Sequence, residues 1–203
     1  MKRTKEDAQE TRERIFRAGV RVFARKGYAG ATLNDVACEA GVTRGAIYWH
    51  FRNKEAFFEE TVTRLNSSYD QLIDGALSTS REPADTIAAT VEELIRRFAR
   101  DEEFRAMQEL VIRTSIAGRT RLCDGSRPID RNDEAAVRLL EQAMERRALF
   151  DGWSPELALR TISAVIGGIF LMILDGQLTP TDTDMRHIAA FVRRGIAPER
   201  SPV

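Results

Sequence analysis

Apolar residues recur at steps of three and four along almost the whole chain. From about Glu10 to Lys26 they are Ile15, Phe16, Ala18, Gly19, Val22 and Phe23, one stripe at helical spacing. Gly27 ends that helix as a C-cap and Gly30 continues the turn. A short second helix opens at Thr32, an N-cap, with Asp35 three residues on and placed to bond back. Its inward residues are Leu33, Val36, Ala37 and Ala40, and Gly41 supplies a tight turn. Thr43 caps a third helix that runs to about Phe51. A fourth runs from Lys54 to Leu77 with Phe58, Val62, Leu65, Tyr69, Leu72 and Ala76 on one face, a rod of about 36 Å at 1.5 Å per residue. Five further helical segments follow, over about 84–100, 102–116, 132–150, 154–175 and 182–194, with loops at 78–83 and 117–131. No segment alternates apolar and polar residues over strand length, so the fold class is all-α.

The second and third helices have the spacing of a helix-turn-helix. A small residue, Ala37, stands four before Gly41, and Ile47 follows six later. Two closely crossing helices need a small side chain at the contact, a turn residue that tolerates positive φ, and an apolar plug. A generic helical hairpin shows the same spacing. The outward face of the third helix adds to the case. With Ile47 and Phe51 inward, Gly45, Tyr48, Trp49 and Arg52 point outward and Arg44 lies near the edge. An arginine in the first turn suits a bidentate contact to guanine, and a glycine beside it lets the backbone approach base edges. Tyr48 offers a hydroxyl to a phosphate or a ring to a thymine methyl. Thr43, His50 and Lys54 are placed for backbone phosphates, which set register without reading sequence. For His50, a satisfied core histidine at the helix end is the competing reading. The polar arm over residues 1–9, with Lys2, Arg3 and Lys5, suits phosphates or the minor groove, or is a frayed terminus.

Charge sharpens this picture. Lys+Arg and Asp+Glu number 31 each, a net charge of zero. Residues 1–54 hold 12 basic and 6 acidic side chains, a net of +6, leaving 19 and 25, a net of −6, for residues 55–203. A basic head on an acidic body implies that one end meets a polyanion. The expected organisation is therefore a DNA-binding domain over 1–54 and a second helical domain over 55–203. Cys38 and Cys123 are too few for a disulfide framework or a zinc site and fit a reducing cytoplasm. The N-terminus has no apolar core of a signal peptide. The 13-residue apolar run Ile162–Leu174 is short for a bilayer span and reads as a buried helix. There is no G-x-S-x-G, G-x-G-x-x-G, P-loop or H-E-x-x-H motif, so no enzyme is expected.

The arm KRTKEDAQETRERI, the block ATLNDVACEAGVTRGAIYWHF and the continuation NKEAFF resemble the TetR family of bacterial transcriptional repressors. They are most similar to its branch of AcrR-type and TtgR-type regulators of multidrug efflux pumps. The likeness covers Thr4 to Phe58; beyond it only helix lengths and order match. The resemblance implies a homodimer of about nine helices per subunit, acting in the cytoplasm on the nucleoid. Its first three helices bind a near-palindromic double-stranded operator, and Thr32, Thr43, Arg44, Gly45, Tyr48, Trp49, His50 and Lys54 align with DNA-contacting positions. Helices four to seven enclose a small hydrophobic or amphipathic effector, with no cofactor. The helices over 132–150 and 155–175 form the dimer interface.

Within that frame, Tyr69, Phe98, Met107, Val111 and Phe170 are the pocket residues expected, or else plain core. Val137, Leu140, Met144, Ile166, Gly167 and Phe170 are those expected at the dimer interface. The close approach that Gly167-Gly168 permits agrees with it, although one chain can also cover such a helix internally. Two alternatives stand beside the efflux repressor: an architectural or ligand-independent DNA-binding dimer, and a TetR-type regulator of metabolic genes.

Overall fold

The computed structural model describes residues 5–78, 82–116, 134–146, 149 and 152–197. Lys2, Arg3, Cys123 and the expected 117–131 loop lie outside them. Among the described residues there are nine helices and no strand. They are α1 (Lys5–Gly30), α2 (Leu33–Ala40), α3 (Arg44–His50), α4 (Lys54–Leu77), α5 (Pro83–Arg100), α6 (Glu102–Ile116), α7 (Glu134–Glu145), α8 (Pro155–Leu174) and α9 (Asp182–Ile196). They gather into two compact units. The first holds α1 to α3, α4 as far as Leu65, and α6; the second holds α4 from Asn66, α5, α7, α8 and α9. The boundary read at residue 54 follows charge, whereas packing groups the start of α4 and the whole of α6 with the head.

In the first unit, α1 buries the expected stripe of Ile15, Phe16, Ala18, Gly19, Val22 and Phe23. The helix starts earlier than its apolar pattern, at Lys5, with Glu6 and Asp7 in the first turn, where acidic side chains oppose the positive end of the helix dipole. Gly27 breaks α1 at φ 71°, ψ 159° and does not end it; helical structure resumes to Gly30. The buried face of α4 is Phe57, Phe58, Thr61 and Leu65. That is one step round from the expected face, and Val62 is only half-buried. Phe57 is the reason. Its ring sits 5.3 Å from Phe16, 5.0 Å from Phe23 and 5.1 Å from Phe51, so one side chain of α4 closes the aromatic core beneath α1 and α3. The core has room for it because position 19 is glycine: a Cβ there would stand 2.4 Å from Cε2 and Cζ of Phe57. α6 packs along α1 and buries Phe104, Met107 and Leu110.

The second unit is built on α5, which packs against α7, α8 and α9 through Ile87, Val91, Leu94, Ile95 and Phe98. Phe98 and Phe170 stack with centroids 3.9 Å apart and planes 8° apart. Arg100 reaches Asp182 at 2.7 Å. α9 opens with a Thr181–Asp184 capping box. α8 opens with Ser154 as cap and Pro155 behind it, as the sequence implies.

α8 is not buried as expected: only Ala158, Ile162 and Phe170 are covered. Leu157, Leu171 and Met172 are exposed, as is Phe191 on α9 at 68%. The expected interface residues behave differently. Leu140 and Phe170 are covered inside the chain, at 2% and 1% exposure, and Val137, Met144, Ile166 and Gly167 are half-buried. α7 turns its apolar stripe of Ala135, Leu139, Leu140 and Ala143 inward. Of the two helices expected at the interface, over 132–150 and 155–175, it is α8 that carries large exposed apolar side chains, together with Phe191 of α9.

Candidate nucleic-acid interface

The local chemistry that holds α2 and α3 is all present. The Thr32 hydroxyl accepts from Asp35 N–H at 3.1 Å, and the Asp35 carboxylate accepts from Thr32 N–H at 2.9 Å. Lys26 Nζ donates to the same carboxylate at 2.7 Å. The Lys26 ammonium first, then the Thr32 hydroxyl and N–H, hold the Asp35 carboxyl down at about 2. Gly41 takes the left-handed conformation at φ 63°, ψ 38°, which costs a glycine little. Val42 N–H then returns to Ala37 O at 3.0 Å. Thr43 starts α3 by accepting from Ala46 N–H at 3.2 Å.

α3 has seven residues and buries one of them, Ile47. Phe51, just beyond it, is buried as well. The other face is open. Trp49 is 72% exposed and Tyr48 46%, and Thr43, Arg44, Gly45 and Arg52 are exposed beside them. The Arg44 guanidinium lies 5.7 Å from the Tyr48 ring centroid, four residues along the same face, within range of a cation–π contact. A Cβ at Gly45 would meet nothing nearer than Thr43 Oγ1 at 4.0 Å. Among the described residues nothing crowds that exposed position. The His50 ring is half-buried, edge-on to Trp49 at 4.5 Å.

Lys54 departs from expectation. Its ammonium donates to the carbonyls of Tyr28 at 2.6 Å, Ala31 at 2.9 Å and Ala29 at 3.4 Å, and stands 4.7 Å over the Tyr28 ring. An ammonium has three N–H donors, and all three are used on carbonyls freed where Gly27 breaks α1. Lys54 ties the end of α1 to the start of α4.

Several residues that serve α3 escaped the sequence reading. Arg12 Nη1 donates to His50 O at 2.9 Å, its Nη2 pairs with Glu60, and its guanidinium lies 4.8 Å from the Phe51 centroid. Arg64 forks onto Glu13 at 2.7 and 3.0 Å and bonds Glu60 at 2.7 Å. It also lies 3.7 Å from the Phe16 centroid. The Arg64 hydrogen bonds are the main cause holding the Glu13 carboxyl below its ordinary range. The only sequence signal for this group is Glu60 and Arg64 at i, i+4; partners 48 and 51 residues apart leave none.

The residues proposed for an effector divide between the units. Tyr69, Phe98 and Phe170 belong to one, and Met107 and Val111, on α6, to the other. Phe98 and Phe170 fill their own site by stacking on each other.

Residues 15–61 match the family model described as bacterial regulatory proteins, tetR family. The chain is 33% identical over 186 residues to the HTH-type transcriptional repressor BepR of Brucella suis biovar 1 (strain 1330), covering 87% of each protein. Among solved structures it resembles NalD, the secondary repressor of the MexAB-OprM multidrug efflux pump in Pseudomonas aeruginosa. That match has a TM-score of 0.71 and 26% identity, over 94% of this chain and 98% of NalD. SmeT, the repressor of the Stenotrophomonas maltophilia multidrug efflux pump SmeDEF, matches in its complex with triclosan at a TM-score of 0.75 and 25% identity. It covers 96% of this chain and all of that one.

Proposed function

We propose that this chain, which belongs to the TetR family of bacterial regulatory proteins, is an effector-released repressor of a multidrug efflux operon that binds its operator as a homodimer. The observation that carries the DNA-binding part is the open face of α3. Arg44, Gly45, Tyr48 and Trp49 are exposed there, outside the core, on a helix whose first turn is fixed by a cap. Arg44 reads a guanine edge in the major groove, Gly45 admits the close approach, and Thr32, Thr43 and His50 line the adjoining phosphates.

Support for the homodimer comes from α8. Leu157, Thr161, Ala164, Gly168 and Leu171 are exposed at steps of three and four, a stripe suited to another helix. The helix is also long and apolar enough to cross a membrane by length and composition. A regulator that must reach DNA favours a partner helix as the cover. Phe191 of α9 extends the same kind of surface. Two copies then set two α3 helices about one turn of DNA apart, near 34–36 Å. An effector that prefers a different tilt of α4 changes that spacing, and it needs a coupling of about 1–3 kcal/mol to do so. The efflux operon and a lipophilic effector are carried over from NalD and SmeT.

The test is selection of bound duplexes from a random-sequence library by the full-length chain, followed by titration with triclosan. The expected result is an inverted repeat with half-sites one helical turn apart and release as triclosan is added. Arg44→Ala costs about 1–3 kcal/mol and relaxes one position in each half-site. Uniform weakening on every duplex would make Arg44 a phosphate contact. Failure to enrich any sequence would end the reading. An enriched site from which neither triclosan nor any lipophilic antibiotic releases the chain would end the efflux reading and leave the ligand-independent dimer and the regulator of metabolic genes.

A further inference from the structure

A seven-residue helix does not hold its shape alone, because nucleation is costly and few hydrogen bonds repay it. α3 therefore depends on outside contacts at both ends. Its start is fixed by Thr43. Its end leaves carbonyls without a partner inside the helix, and one of them, His50 O, receives Arg12 Nη1 at 2.9 Å. A positive group at a helix C-terminus also faces the negative end of its dipole. The same guanidinium covers Phe51, the buried residue that closes α3, at 4.8 Å. Arg12 thus meets both the last polar and the last apolar anchor of the helix.

Arg12 is itself held. Its Nη2 pairs with Glu60 on α4, Glu60 is shared with Arg64 at 2.7 Å, and Arg64 ends on Glu13 of α1 at 2.7 Å. The four side chains alternate in sign, and each is at least about two-thirds covered, so their attraction is screened less than that of surface pairs. The order along this group is α3 carbonyl, Arg12, Glu60, Arg64, Glu13. Two of its members, Glu60 and Arg64, belong to α4.

We infer that Arg12 is a positioning residue for base reading: it fixes the C-terminal end of α3, and the Glu60–Arg64–Glu13 chain makes that fix depend on where α4 lies. This rests on the reading of α3 as the DNA-reading helix. Arg12 touches no base; it acts through the angle at which Arg44 and Tyr48 are presented. With Arg12 removed, α3 still reaches the groove and its phosphates, but base contacts lose their alignment.

The experiment uses the full-length chain and two duplexes, the sequence enriched from a random library and a scrambled version of it. Arg12→Gln lowers affinity for the enriched duplex about tenfold, the equivalent of 1.4 kcal/mol. Affinity for the scrambled duplex and the salt slope on both stay unchanged. Without DNA, the amides of His50 and Phe51 exchange faster. Arg12→Lys reproduces the loss, since one ammonium does not span the carbonyl and the carboxylate as the guanidinium does. Glu60→Gln gives a smaller loss in the same direction, and it carries the test if Arg12→Gln melts far below the parent. Equal weakening on both duplexes with a salt slope lower by about one per subunit would make Arg12 a phosphate contact and overturn the inference. So would full rescue by Arg12→Lys, or unchanged discrimination in Arg12→Gln. If the parent enriches no duplex, it is the reading of α3 that fails, while amide exchange still decides whether Arg12 holds the end of the helix.

Discussion

The contact between Gly19 and Phe57 makes a prediction opposite in sign to the ordinary one. Replacing a helical glycine by alanine stabilises a helix by about 1 kcal/mol, because the unfolded chain loses freedom and the helix gains a better former. Gly75 on α4 should follow that rule: a Cβ there meets nothing within 4 Å. Gly19 should not. Its Cβ would stand 2.4 Å from two ring carbons of Phe57 and 3.3 Å from a third. The ring has nowhere easy to go, being fully buried against Phe16, Phe23 and Phe51 at centroid distances of 5.0–5.3 Å. Overpacking of that kind costs about 1–3 kcal/mol. After the helix gain of about 1 kcal/mol, Gly19→Ala is neutral to destabilising by about 2 kcal/mol. Relative to Gly75→Ala the gap is the whole clash, and at about 2–4 °C per kcal/mol it is several degrees in Tm. Thermal unfolding followed by circular dichroism at one fixed protein concentration measures it. The pair Gly19→Ala and Phe57→Leu completes a cycle: in the Phe57→Leu background the alanine should recover its ordinary benefit. If Gly19→Ala raises Tm as much as Gly75→Ala does with Phe57 intact, the packing account of α1 against α4 is wrong.

Two further outcomes follow from the same unit. Lys54→Gln should lower stability by about 1–3 kcal/mol, since carbonyls of Tyr28, Ala29 and Ala31 lose a charged donor, while the slope of log affinity against log salt stays as in the parent; a slope lower by about one per subunit would put Lys54 on a phosphate after all. The Asp35 carboxyl is held at about 2 against an ordinary 3.8, first by Lys26 and then by Thr32. Its folded value is depressed, so its stabilisation is complete above 3.8 and disappears as the pH falls through about 2. Urea midpoints across that range should converge for the parent and Asp35→Asn, and a gap that persists at the acid end would refute the assignment.

What the sequence made legible was local. The Thr32–Asp35 box, the left-handed Gly41, the Thr43 cap and the inward Ile47 each rest on residues within four of one another. Fixed side-chain geometry converts such spacings directly into structure. The bounds of α4 and α6 and the outward Gly45, Tyr48, Trp49 and Arg52 were legible for the same reason of period. The misses share a cause too. Phe57 and Phe58 are adjacent, and the room that Phe57 occupies is left by a glycine on another helix. The tie from Lys54 to α1 was not legible, because its three carbonyls appear only once Gly27 has broken α1. A long cation carries no mark of which distant group it will reach, so nothing in the sequence singled out Arg12 and Arg64. α8 was apolar enough to be buried, yet only Ala158, Ile162 and Phe170 are buried in one chain, because composition does not say whose surface does the covering.

The aromatic centre of the head is completed by Phe57 from α4, and α6 packs beside α1 in the same unit. The reading module is therefore discontinuous along the gene. A chimera that exchanges operator preference between relatives by joining them at residue 54 would hand the incoming helices a foreign keystone. A graft that respects the packing needs three junctions: one past Leu65, and a matched pair of cuts that carries α6 across with its own α1.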